Sequence, residues 1–279
     1  TLRREEIDPW LTTREREQTY WANQDMRWSY NERRYKKLLQ YHPGGLLLYL
    51  YGNSGQVEHL FDLFRKVFEA IAEQGVNAEE RGYLSGIVRR VDEQYYTDEW
   101  AKCCLLLYKK ELLQKPPLCL RRLFFRHPDK MKMFLEENPS RSFDVENDYY
   151  LPEEAYQDKR AFDCWAECLY EEFPEILGYI MGKSCNGKDG AFPHEFIREF
   201  LEKQQNEKLT KAVFYGKFNS RGARIVQDGR TLYEQAKCYR AQARELRLKF
   251  PQSAKILLQL AKWMESEAQH DQLEAEIVP

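Results

Sequence analysis

The chain has 279 residues, enough for one large domain or two small ones, and its 43% hydrophobic and 14% aromatic content is too much apolar surface for a solvated coil. A formal net charge of -2 selects no partner by bulk attraction, and the longest apolar run, Leu46 to Tyr51, is too short to cross a bilayer, so no membrane partner is expected. Seven cysteines, an odd number without repeated spacing and without an apolar leader before them, predict reduced thiols and a cytoplasmic protein.

In chain order, a long polar helical pattern runs from about Thr13 to His42 and stops at Pro43-Gly44-Gly45, where proline and glycine break helices. Gly52-Asn53-Ser54-Gly55 is a turn. From Val57 to Glu73, Val57, Leu60, Phe61, Phe64, Val67, Phe68 and Ile71 recur at three- and four-residue steps and predict an amphipathic helix. Asn77 with Glu80, and Thr97 with Asp98 and Glu99, are helix starts, each predicting a helix of about 15 to 18 residues. Pro116-Pro117 separates the second of these from a shorter helix over Leu118 to Arg126, and Pro128 opens another that stops near Pro139. The stretch 140–151 lacks periodicity and is expected to be a loop. Pro152 opens a helical region carrying Phe162, Trp165, Leu169 and Phe173, and Pro174 bends it or starts the next helix. A polar loop, Lys183 to Gly190, precedes further helical segments that extend to Phe218. No segment alternates with a period of two, which argues against a sheet, and no repeat survives comparison of the helix pairs.

Charge is unevenly distributed at the C-terminal end. Ten bases lie between Arg221 and Lys262 against three acids, a net of +7, and five acids follow with no base. On a helix starting near Thr231, Lys237, Arg240, Arg244 and Arg247 share one face, while Leu232, Ala236, Tyr239, Ala243, Leu246 and Phe250 share a neighbouring apolar face. After Pro251, Ala254, Leu257, Ala261, Met264 and Ala268 repeat the spacing. The pair predicts an antiparallel helical hairpin with an alanine-rich seam. Arg221-Gly222 and Asp228-Gly229 precede it. They lack the lysine and strand of a phosphate cradle and are expected to form a flexible joint.

The order Arg221-Gly222, Asp228-Gly229, Tyr233, Ala236, Tyr239-Arg240, Ala243, Pro251, Ala254, Leu257, Ala261, Glu267-Ala268, Asp271 and Ala275-Glu276 resembles a C-terminal helical hairpin found in various uncharacterised bacterial proteins. The resemblance covers the last fifth of the chain and implies a bacterial cytosolic setting, without an activity.

Several constellations could carry chemistry. The cations Arg221, Arg224, Arg230, Lys237, Arg240, Arg244 and Arg247 could neutralise phosphates or an acidic protein surface; their alternative is a solvated face paired with nearby acids, including the chain's own acidic tail. Trp21, Trp28 and Tyr35 recur every seven residues beside Arg27 and Arg34, which suits base stacking or a seam against another helix. Arg122 and His127 have the spacing of the helical HEPN ribonucleases, a resemblance that would make Arg122 a phosphoryl stabiliser and His127 a proton carrier; Leu123, where that family is usually polar, and Pro128 depart from it. Glu267 with His270 has the step of carboxylate-bridged di-iron bundles but lacks a second such step, and Cys164 with Cys168 lacks the further ligands of a zinc site. His194-Glu195 has no identifiable companion.

These observations predict an all-α chain, an irregular multi-helix array or bundle ending in an antiparallel helical hairpin. A helical domain spans 1–218, with a possible sub-boundary in the 140–151 loop, and a Gly/Arg-rich linker joins it to a hairpin over 219–279. The function expected is that of a non-enzymatic interaction or adaptor protein in a bacterial multi-protein assembly, with a protein partner, no cofactor and no metal. The alternatives are a nucleic-acid-binding protein using the basic hairpin and a HEPN-like ribonuclease. The pattern specifies no oligomeric state.

Overall fold

The computed structural model describes residues 39–139, 145, 148–220 and 229–277. Among them the chain is all-α, with no strand. Two compact units divide between Leu120 and Arg121.

In the first unit, helical backbone at 39–41 ends before Pro43, as proline requires. Helix α1 (Gly45–Gly52) follows and is the apolar run Leu46 to Tyr51. It carries no amphipathic period because Leu46, Leu47 and Leu50 are all fully buried: a helix covered on most sides needs no polar face. A 3-10 turn at Ser54–Gln56 leads into α2 (Val57–Gln74), whose apolar stripe is buried except for Phe61, half-buried at its edge. Helix α3 (Ala78–Asp92) begins with the expected capping box: the Asn77 side chain accepts from the Glu80 amide and the Glu80 carboxylate accepts from the Asn77 amide. Helix α4 (Asp98–Lys109) is capped by the Thr97 hydroxyl and is shorter than expected, because the chain turns out through Glu111 at positive φ, where Arg81 donates to the Glu111 carbonyl. Helix α1 packs on α2 and α3, and α2 packs on α4. Phe64, Phe68 and Trp100 meet ring to ring at 5.5 to 6.2 Å between centroids. Buried Asp92 holds the floor by accepting from the Trp100 indole at 2.9 Å and from the Cys119 amide at 3.2 Å.

The second unit begins within α5 (Leu118–Arg126), and α6 (Pro128–Glu137) follows with Pro128 in its first turn. Most of the 140–151 stretch lies outside the described residues. Pro152 precedes only a 3-10 turn, Glu153–Tyr156; the helix carrying Phe162, Trp165 and Leu169 is α7 (Lys159–Tyr170), which starts where the Asp158 carboxylate accepts from two backbone amides. Pro174 starts α8 (Pro174–Gly182), leaving Phe173 as its cap residue. Then come α9 (Glu195–Gln204), α10 (Glu207–Asn219), α11 (Arg230–Leu246) and α12 (Pro251–Ile277). Helices α8 and α10 run parallel in close contact. A Cβ added at Gly182 would press on the Val213 carbonyl and the Gly216 backbone, and one at Gly216 would press on the Tyr179 carbonyl, so both positions need the absent side chain.

The expected hairpin is present: α11 and α12 pack together, and the residues assigned to its apolar seam are buried apart from half-buried Tyr239. Its integration differs from the expected division after residue 218. Helix α12 also packs on α9 and α10, which buries a second row, Ile256 and Leu260, that a free hairpin would expose. Glu202 on α9 accepts from the Gln252 and Ser253 amides and so caps α12, and Phe218 meets Trp263 at 4.5 Å. The hairpin is therefore part of the unit that starts at Arg121.

Candidate interaction surface

The residues singled out by sequence fall into three groups: those outside the described part, those engaged inside the fold, and those left on the surface. Arg221 and Arg224 belong to the first group, as do Trp21, Arg27, Trp28, Arg34 and Tyr35.

The basic face of α11 is divided by the fold. Arg240 is drawn toward α12, where its guanidinium donates to both carboxylate oxygens of Glu265 at 2.7 and 2.6 Å. That bidentate contact pairs the stripe with the chain's own acidic tail and holds the Glu265 carboxyl below the usual carboxylate range. Lys237 pairs with Glu234 one turn back at 2.6 Å, an exposed contact of the kind that contributes little. Arg230 is exposed in the first turn of α11. Arg244 and Arg247 are exposed at the far end, where the chain turns through 247–250 into α12. That turn carries Lys249 and Leu248, and Leu248 is 89% exposed. Its sequence signal was weak: a single leucine off the apolar face of a helix end has no periodic partner.

Arg122 lies 3.6 Å from the Glu154 carboxylate, which Arg126 also engages at 2.9 Å. A guanidinium so placed already faces a negative charge, which opposes the phosphoryl role that the HEPN resemblance implies. His127 is the cap residue of α6. His270 is exposed on α12 beside half-buried Glu267, and Cys164 is exposed while Cys168 is half-buried with its thiol pushed up by burial. Among the described residues no group of three His, Cys, Asp or Glu side chains could hold a metal ion.

His194 and Glu195 do gain companions. The Arg198 side chain, only 2% exposed, donates to both Asp189 oxygens and lies 4.0 Å from Glu195 and 5.3 Å from the Phe250 ring centre. His194 is buried at the start of α9; its Nδ1 accepts from the Phe196 amide, its Nε2 lies 3.4 Å from Glu195, and Tyr156 covers the ring at 4.8 Å between centroids. Burial pushes the imidazole below its ordinary pKa. Gln242 on α11 accepts from the Phe192 amide and donates to the Gly190 carbonyl, joining the hairpin to the same loop. This polar cluster braces the loop 183–194 and the hairpin. Its groups point at one another, so its chemistry is that of support. Sequence reasoning passed over it because Asp189 lies in the loop and Arg198 one turn inside α9.

No protein-family model, no curated protein and no solved structure matches the chain.

Proposed function

We propose that the chain is a non-enzymatic helical interaction protein, an adaptor in a bacterial multi-protein assembly of the cytoplasm, which meets its protein partner through the tip of the C-terminal hairpin. The observation that carries this reading is Leu248, 89% exposed in the turn between α11 and α12 and flanked by exposed Arg244, Arg247 and Lys249. A lone exposed leucine contributes about 1.5–3 kcal/mol when a partner's pocket buries it. Arginine at the margin suits an acidic rim around that pocket. The compact unit behind the tip supports the reading too, since the Glu202 cap and the Gln242 bridge hold the hairpin in place before a partner arrives. All seven cysteines are free thiols, which suits a reducing compartment, and no helix among the described residues is long and apolar enough to cross a membrane. The bacterial setting rests on the resemblance of the hairpin.

Affinity capture from native cells tests the reading. Wild-type chain is expected to retain a defined protein set that Leu248→Asp and Arg247→Glu lose while both variants stay folded. Capture of the same set by wild type and both variants would overturn the assignment to the tip.

A further inference from the structure

On the side of α12 away from α11, α10 and α12 run parallel and enclose an open cleft of about 360 Å³. Its walls include Glu207, Lys211, Phe214 and Tyr215 of α10 and Lys255 and Gln259 of α12. Lys255 lies beside Glu207 at one end and Trp263 beside Phe218 at the other, which gives the parallel alignment of the two helices. On α10, Lys208, Lys211 and Tyr215 are exposed at steps of three and four; on α12, Lys255, Gln259 and Lys262 are exposed at steps of four and three. Of these, Lys211, Tyr215, Lys255 and Gln259 line the cleft together with one acid, Glu207, while Lys208 and Lys262 lie next along the two rows. Lys211 makes no ion pair among the described residues, and its ammonium lies 6.0 Å from the Tyr215 ring centre. Tyr215 is 39% exposed, and Tyr179 lies nearly parallel to it at 17° with 6.3 Å between centroids, so one neighbour supports the ring while part of it stays open.

We infer that this cleft binds single-stranded nucleic acid, with a base stacked on Tyr215 and flanking phosphates met by Lys211 and Lys255. A volume of this size admits about one nucleotide unit. Cations interleaved with an accessible ring are the recurring means by which proteins hold single strands, because every base has a face to stack and every linkage carries a charge. A protein partner fits less well, since lysine is depleted at the cores of protein interfaces, where arginine and apolar side chains take its place. A duplex fits less well because its bases are already stacked within it. On α11, Lys237 and Arg240 are held by acids at 2.6 Å; at the cleft, Lys255 has only a longer, exposed contact with Glu207 at 3.7 Å and Lys211 makes no ion pair among the described residues, so both ammonium groups are open to a phosphate.

Fluorescence anisotropy of labelled oligothymidylate, titrated with the full chain at several salt concentrations, tests the inference. Wild type is expected to bind at low salt and to weaken as salt rises. Lys211→Glu with Lys255→Glu should reduce affinity at least about tenfold and, with two phosphate contacts gone, make the logarithmic salt slope shallower by roughly 1.4. Tyr215→Ala should lower affinity by about five- to one-hundred-fold and leave the salt slope unchanged, a separation that general unfolding would not produce. Lys211→Gln serves if the double reversal fails to fold, and should lower both affinity and slope by less. The hairpin-tip variants Leu248→Asp and Arg247→Glu should bind oligothymidylate like wild type, which keeps this inference separate from the adaptor reading. Absence of binding at low salt, equal loss in the tip variants, or tighter binding of a random glutamate-tyrosine copolymer than of oligothymidylate would each overturn it.

Discussion

Arg198 places its two terminal nitrogens on the two oxygens of Asp189, at 2.7 and 2.8 Å, with the guanidinium buried and the carboxylate about half exposed. The asymmetry decides what each group contributes. Asp189 could return to water at small cost, but Arg198 could not, and its Nε already lacks a hydrogen-bond partner. Asp189→Ala is therefore expected to destabilise the second unit by about 1–3 kcal/mol, read as a lower urea midpoint. Adding Arg198→Met should recover part of the loss, because it removes the charge left without its partner. A double variant less stable than Asp189→Ala alone would contradict that account.

The neighbouring histidine predicts a pH dependence. Burial, with Arg198 and Lys188 adding to it and Glu195 and Asp189 opposing it, holds the His194 pKa below its ordinary value. The unfolded chain takes up the proton near pH ~6.5, before the folded chain does. The stability this contributes is complete above that pH and is lost as the pH falls toward the lower folded value. His194→Asn keeps a side-chain acceptor for the Phe196 amide without titrating in this range. Urea midpoints between about pH 7 and 5 should fall less steeply for the variant than for wild type; parallel curves would remove His194 from the explanation.

Two glycines on helices are expected to respond in opposite ways. At Gly216 a methyl would meet the Tyr179 carbonyl and backbone, which cannot yield without parting α8 from α10, so Gly216→Ala should cost about 1–3 kcal/mol or more. At Gly82 in α3 nothing lies within 4 Å of an added methyl, so Gly82→Ala should stabilise by up to about 1 kcal/mol. Thermal or urea unfolding of the two variants reads the sign directly.

The helix starts at Asn77, Thr97, Pro128 and Pro174 were legible because each depends on atoms within three or four residues of one another. The seam of α11 and α12 was legible for the same reason: Ala236, Ala243, Ala261 and Met264 repeat with the helical turn. Helix α1 was not, since a stretch buried on most sides has no period to detect. For the basic face of α11 the helical positions were legible and pairing with the acidic tail was one of the readings; which cations are paired was not legible, because Arg240 and Glu265 are 25 residues apart and meet only when the hairpin closes.

By itself, then, the sequence determined that the chain is helical, where most helices start, and that its last two form a hairpin, since turn, cap and amphipathic period are local properties of the backbone and its nearest side chains. Only the tertiary structure decided which side chains are spent and which are open. The buried pairing of Arg198 with Asp189, the close passage of Gly182 and Gly216, and the cleft between Lys211 and Lys255 all arise where separate helices meet. Those meetings depend on crossing geometry and on burial summed over several elements, neither of which any one segment encodes.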